Sequence, residues 1–177
     1  MTPTESSLFD NSRPYYHGTD ASFEKFEDIF KGSNTGWDNT KHGFFFADKK
    51  ENALLFGDIL ITAYLDIKKP VDFRLHSIFS LENQASLIWE ILSGEQLDAK
   101  KALRKLNKEI GLGEIEEMYE SLDSEDCHIL LEQAGYDAII SSLGNDQTEF
   151  VVFHTSQIEI ISIERQDFIG RSIKNFT

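Results

Sequence analysis

Apolar and polar positions along the chain fall into three regimes. In the first, short apolar runs sit between turn-forming residues. Residues 1–13 are polar, and Tyr15 to Gly18 then reads as a short strand running into a Gly-Thr turn. Residues 20–42 read as a connection anchored by Phe23, Phe26 and Phe30, with Ser33, Asn34, Gly36, Asp38 and Asn39 marking a mobile loop. Phe44 to Phe46 predicts a buried strand, with Phe44 and Phe46 on one face and Phe45 on the other. Asp48 is positioned as the N-cap of a helix over 49–56, which Gly57 stops. Ile59 to Ile67 alternates as a strand does, placing Ile59, Ile61, Ala63 and Leu65 on one side, and Pro70 to Phe73 is a further extended piece.

The second regime has helical spacing. Leu81, Ala85, Ile88 and Leu92 form one stripe. Ala99, Leu103, Leu106 and Ile110 form a second, Ile115, Met118, Tyr119 and Leu122 a third, and Cys127, Leu130, Leu131 and Ala134 a fourth. Gly94, Gly111, Gly113 and Gly135 punctuate them. The third regime returns to strands at Tyr136–Ser141, Glu149–His154 and Gln157–Ile163, with a polar loop over 142–147. Strands, then helices, then strands predict an α+β fold with a helical insertion at about 76–135.

A length of 177 residues fits one domain spanning the whole chain, long enough to bury a core. The net charge of −14 argues against broad nucleic-acid binding, since a phosphate-backbone binder is normally basic. One cysteine, Cys127, excludes an internal disulfide framework. The N-terminus has no basic n-region followed by an apolar h-region, and the longest apolar stretch is too short to span a bilayer. The expectation is a soluble chain, cytoplasmic at synthesis and without a membrane partner. Delivery into a host cell by a signal-less route is compatible with the same sequence.

Candidate chemistry sits at strand ends. Glu149 opens the apolar run Phe150-Val151-Val152-Phe153, at a place where a cleft can meet the core. Its bland reading is an exposed strand-end glutamate. Gln147 shares its face if the strand starts that early. His17 precedes Gly18, and a glycine lets a ligand approach the backbone. The bland alternative is a histidine beside a turn. The Phe44–Phe46 triplet is ordinary core material, but Phe56 can return toward Phe45, and two such rings can grip a flat ligand.

Other chemistries are weaker. Lys100, Lys101, Arg104, Lys105 and Lys108 share a helix face and are followed by Glu114, Glu116, Glu117, Glu120, Asp123, Glu125 and Asp126. A basic helix facing an acidic one, or both facing water, accounts for that pattern. The five histidines lack i, i+4 spacing, so no metal site is expected. Cys127 and His128 are helix neighbours, unlike a nucleophile and base that meet across a fold. No Gly-rich phosphate loop of the common spacings is present.

Taken together, Tyr16-His17-Gly18-Thr19, Gly43-Phe44-Phe45-Phe46-Ala47-Asp48 with Phe56, and Glu149-Phe150-Val151-Val152-Phe153 resemble the ADP-ribosyltransferase fold. The likeness is to its His-Tyr-Glu branch, shared by diphtheria-type toxins and poly(ADP-ribose) polymerases, and to small bacterial and phage-borne members. It covers residues 15–72 and 135–163. The resemblance implies split antiparallel β-sheets and NAD as substrate, with no metal. It also implies an acceptor macromolecule, a protein side chain in the leading reading.

By the same resemblance, Glu149 would bind the ribose and stabilise oxocarbenium charge, and His17 would bond the adenosine ribose. The Gly18 backbone would hold the nicotinamide carboxamide, with Thr19 also in the NAD-contacting set. Phe45 and Phe56, with Phe46 beside them, would stack on nicotinamide. Ala53 and Gln147 complete the NAD-contacting set, and the loop 142–148 would meet the acceptor. The chemistry is consistent with one carboxylate. Nicotinamide leaves as a cationic ring needing no proton, whereas an ordinary glycosidase needs a second carboxyl for its leaving oxygen. Two departures stand out: Phe45 replaces the branch's tyrosine, and Ala53 its common serine. They keep open an NAD glycohydrolase and a non-catalytic NAD- or ADP-ribose-binding module as rivals to a mono-ADP-ribosyltransferase.

Overall fold

The computed structural model describes residues 9–20, 42–144, 147–166 and 172–175. The expected anchors Phe23, Phe26 and Phe30, and the loop after them, lie outside these residues. Strand-period segments give β1 (Tyr15–Thr19), β2 (Phe44–Ala47), β3 (Ile59–Leu65), β4 (Pro70–Asp72), β5 (Ala138–Gly144), β6 (Gln147–Val152), β7 (Ile158–Gln166) and β8 (Ser172–Asn175). Among the described residues they form one eight-stranded sheet in the order β4-β5-β6-β2-β1-β3-β7-β8.

Two features depart from the sheets the resemblance implies. The strands form one continuous ladder, which narrows at β1–β2 to a single aligned pair, Tyr16 opposite Ala47. By contrast, β1 and β3 align over five residues, from Tyr15 to Thr19. The sheet is also mixed, because β4 and β5 run parallel. A parallel pair needs a long crossover, and the helical middle of the chain supplies it.

That crossover contains α2 (Leu75–Ile78), α3 (Ala85–Ser93), α4 (Ala99–Glu109), α5 (Ile115–Leu122) and α6 (Glu125–Gln133); α1 (Lys50–Ala53) precedes β3. Asp98 and Ser124 cap α4 and α6 by accepting from the Lys101 and Cys127 amides at 2.9 and 3.1 Å. The helical stripes bury Ile88, Leu106, Leu122 and Leu131 against one face of the sheet, where Phe45, Val71, Val151 and Phe153 meet them. The opposite face carries Phe44, Phe46, Ile61, Ala63, Ile140 and Phe150. The alternation within the Phe triplet therefore assigns its rings to separate cores.

Buried polar groups tie the crossover to the sheet. Asp72, fully buried at the end of β4, accepts two bonds from the Arg74 guanidinium on its Oδ2 and Oδ1 at 2.7 and 3.0 Å. Ser77 Oγ donates to the same carboxylate at 2.8 Å, and the Gln84 amide bonds the Asp72 backbone in both directions. Asp137 accepts the backbone amides of Lys68 and Lys69 at 2.9 Å, fixing the start of β5 beside β4.

Local expectations change in three places. Asp48 is not the N-cap of α1. Lys49 holds that position in extended conformation, so the helix starts one residue later and is a single turn that relaxes toward Phe56. Gly57 is no left-handed stop: a Cβ there would lie 2.2 Å from the Thr19 carbonyl carbon, so the residue permits close passage beside β1. The polar segment 142–147 is largely strand, since β5 reaches Gly144 and β6 begins at Gln147.

Candidate active site

Register builds the site. Across β1, β2, β6 and β5 the aligned residues are Tyr16, Ala47, Glu149 and Ser141. Directly opposed residues share a sheet face, so these four form one row. Glu149 is 3% exposed, and its Oε2 accepts from Ser141 Oγ at 2.8 Å. A buried carboxylate needs such donors, because stripping its water is costly. Glu149 is therefore not the exposed strand-end residue of the bland reading.

Helix α1 lies over this row. Gly18 shares the parity of Tyr16, and a Cβ on it would fall 1.8 Å from the Ala53 carbonyl oxygen. The glycine is thus required by the helix backbone, a role the sequence does not disclose. Tyr16, Gly18, Phe45, Phe46, Ala47, Ala53, Phe56 and Glu149 line a single small cavity. Of the residues expected to contact NAD, six gather here: Gly18, Phe45, Phe46, Ala53, Phe56 and Glu149. His17, Thr19 and Gln147 do not line it.

The cavity is closed. Its free volume is about 10 Å³, room for a single water at most, whereas ligand pockets usually hold roughly 300–1,000 Å³. Phe45 and Phe56 explain this: their centroids are 5.1 Å apart at 65°, an edge-to-face contact. Sandwiching a flat ring requires about 7 Å between them, twice the ~3.5 Å contact distance. As they stand, Phe45 and Phe56, the latter half-buried at the end of its turn, leave no gap for a flat ring.

His17 stands in the β1–β2 seam, on the opposite parity to Tyr16 and Gly18. Its Nδ1 lies 2.8 Å from the Phe45 carbonyl oxygen. A carbonyl only accepts, so Nδ1 carries the proton. Burial pushes the ring's pKa down to about 4, against a weaker upward pull from the Phe45 carbonyl. The ring is neutral at pH 7, with an unprotonated, buried Nε2. Thr19 is buried at the end of β1. Gln147 opens β6 two residues before Glu149, on the same face.

Elsewhere, the histidines meet across the fold despite their sequence spacing. His42 Nδ1 and His128 Nδ1 are 3.1 Å apart, His42 Nε2 donates to the Leu122 carbonyl at 2.8 Å, and Glu132 contacts both His128 and His154. Among the described residues no group of three or more His, Cys, Asp or Glu side chains is arranged to hold a metal ion. Burial raises the Cys127 thiol to about 12, leaving it protonated and unreactive. The basic face of α4 packs through its other side onto α3 and the 82–84 turn; among the described residues it forms no ion pair with α5.

A family model described as ADP-ribosyltransferase in polyvalent proteins matches residues 12–168. The chain belongs to this family. The ADP-ribosyltransferase match spans both halves of the sheet and the helical crossover between them, including segments the sequence resemblance left uncovered. It supports ADP-ribosyltransferase activity in general, with NAD as the substrate of that class. No curated protein matches the chain. A solved structure described as the crystal structure of an anti-CRISPR protein is 16% identical, with a TM-score of 0.49, covering 85% of this chain and 98% of that one. Among the described residues no helix is long and apolar enough to cross a membrane.

Sequence reasoning missed three residues of this candidate site. Ser141 was visible only as a polar residue interrupting the apolar run of β5, and its partner depends on hairpin register. Tyr16 and Ala47, the one aligned pair of the β1–β2 ladder, line the cavity.

Proposed function

We propose that the chain is a mono-ADP-ribosyltransferase of the His-Tyr-Glu type, with Phe45 in place of the tyrosine and a protein side chain as acceptor. The observation carrying this reading is the convergence on one cavity of Glu149, two aromatic rings and the Gly18–Ala53 backbone. A binding module has no need to bury a carboxylate in the same cavity as the rings and hold it with a serine.

The chemistry follows from the placement. With Phe56 displaced, nicotinamide stacks on Phe45, and the carboxylate of Glu149 faces the adjoining ribose. The bond between C1′ and the ring nitrogen breaks, and its electron pair leaves with neutral nicotinamide. Positive charge grows at C1′ and the ring oxygen. Glu149 stabilises it electrostatically in a water-poor site, and Ser141 keeps the carboxylate aimed. The acceptor's nucleophilic atom then bonds to C1′, and any proton it carries passes to solvent water. His17, neutral and with Nε2 as acceptor, holds the adenosine ribose. Absence of the tyrosine hydroxyl removes a hydrogen bond but leaves stacking, worth ~0.5–1.5 kcal/mol beyond burial.

The test is incubation of purified protein with NAD labelled in the adenylate and a cell lysate. Label moving onto protein supports the proposal. Free ADP-ribose without labelled protein assigns water as acceptor instead, and NAD binding without nicotinamide release assigns a binding module.

A further inference from the structure

We propose that the basic face of α4 is a docking surface for an acidic, partly apolar segment of another protein. The surface lies on the crossover, and its assignment stands independently of the NAD reading. Lys100, Leu103, Arg104, Asn107 and Lys108 of α4, together with Glu82, line an open groove of about 630 Å³.

The three cations are spaced i, i+4 and i+8, so they repeat about every 6 Å along the helix. All three are exposed, and among the described residues none makes an ion pair; the described ion pair of α4 is Lys101 with Asp98 at 3.8 Å. That is unexpected in a chain with 31 acidic residues against 17 basic ones. Like charges at i, i+4 destabilise a helix, so the row is held at a cost to the free protein that a partner's carboxylates would remove. The inward face, through Ala102 and Leu106, accounts for folding without these cations.

The groove's floor and walls select the partner's chemistry. Leu103, half-buried, is the apolar side chain of the lining and offers an apolar contact. Asn107 spends its amide donors on the Phe79 and Leu103 carbonyls at 3.0 and 2.8 Å, bracing α4 against the C-terminal end of α2. Among the described residues no aromatic ring lines the groove, so bases of a single-stranded nucleic acid find no stacking platform there. Glu82 and the net charge of −14 further oppose a long polyanion. An acidic helix with carboxylates at i, i+4 and i+8 has the same repeat as the cations, and an apolar side chain between them meets Leu103.

The test uses fluorescence anisotropy of the full chain with a labelled helical peptide carrying Glu at i, i+4 and i+8 and Leu between. A scrambled peptide of equal composition and a 12-nucleotide deoxythymidine strand serve as comparisons. The in-register peptide is expected to bind about tenfold more tightly than the scrambled one, and to weaken as salt rises. Substituting Lys100→Gln, Arg104→Gln and Lys108→Gln together abolishes this preference, while the denaturant midpoint stays at or above that of the wild type. Equal affinity for the two peptides, no binding of either, or tighter binding of the oligonucleotide overturns the proposal.

Discussion

Gly18→Ala should damage the fold and the site together. The added Cβ would sit 1.8 Å from the Ala53 carbonyl oxygen and 2.6 Å from its carbon, both backbone atoms that no rotamer change can move. Real Cβ contacts essentially never fall under 3.0 Å, so α1 must retreat by about 1.2 Å. Small-to-large substitutions in tight packing cost ~1–3 kcal/mol. At about 2 kcal/mol, a chain of this size loses roughly 4–8 °C in Tm. The same movement shifts Ala53 and draws on Phe56, two walls of the cavity, so nicotinamide release falls as well. Differential scanning calorimetry with an NAD-hydrolysis assay reads both. A Tm within 1 °C of wild type would refute the close packing of α1 on β1 and the placement of the cavity beneath it.

Ser141→Ala removes the hydroxyl donor to Glu149, a bond to a charged group worth ~1.5–3 kcal/mol. Steady-state kinetics should show kcat down about 10- to 100-fold with a smaller change in KM; an unchanged kcat would remove Ser141 from any positioning role. His17 is neutral when folded because burial lowers its pKa to about 4, so the unfolded chain binds the extra proton first. Stability therefore rises with pH between about 4 and 6.5 and falls as pH drops through that window. Urea unfolding at pH 7.5 and 4.5 should show a shallower loss for His17→Asn than for wild type, and equal losses would contradict the buried neutral ring. Arg74→Ala leaves the fully buried Asp72 without its bidentate partner, and chemical denaturation should show a loss of about 3 kcal/mol. A loss under ~0.5 kcal/mol would place Asp72 in contact with water.

The fold was legible wherever period alone decides. Ile59, Ile61, Ala63 and Leu65 alternate in the sequence and are buried together in β3, and each helical stripe has its helix. Pairing was not legible, because period does not say which strand lies beside which. The parallel β4–β5 pair follows from the crossover length, yet nothing local in Pro70–Asp72 marks it. Strand β8 is too short to show alternation. At the site, residue types were legible and distances were not. Phe45 and Phe56 do approach, but whether they leave a gap depends on how far α1 settles onto Gly18. Glu149 and Ser141 lie eight positions apart, and only the hairpin register puts them in contact.

The central claim is that the buried Glu149 carboxylate drives loss of nicotinamide. Single-turnover nicotinamide release, measured for wild type and Glu149→Gln with NAD affinity determined by calorimetry, tests it directly. The account predicts release by the wild type, a loss of about 100-fold or more in the variant, and NAD affinity retained within a few-fold. Equal release rates for the two proteins, or no release by either while NAD binds, would contradict it.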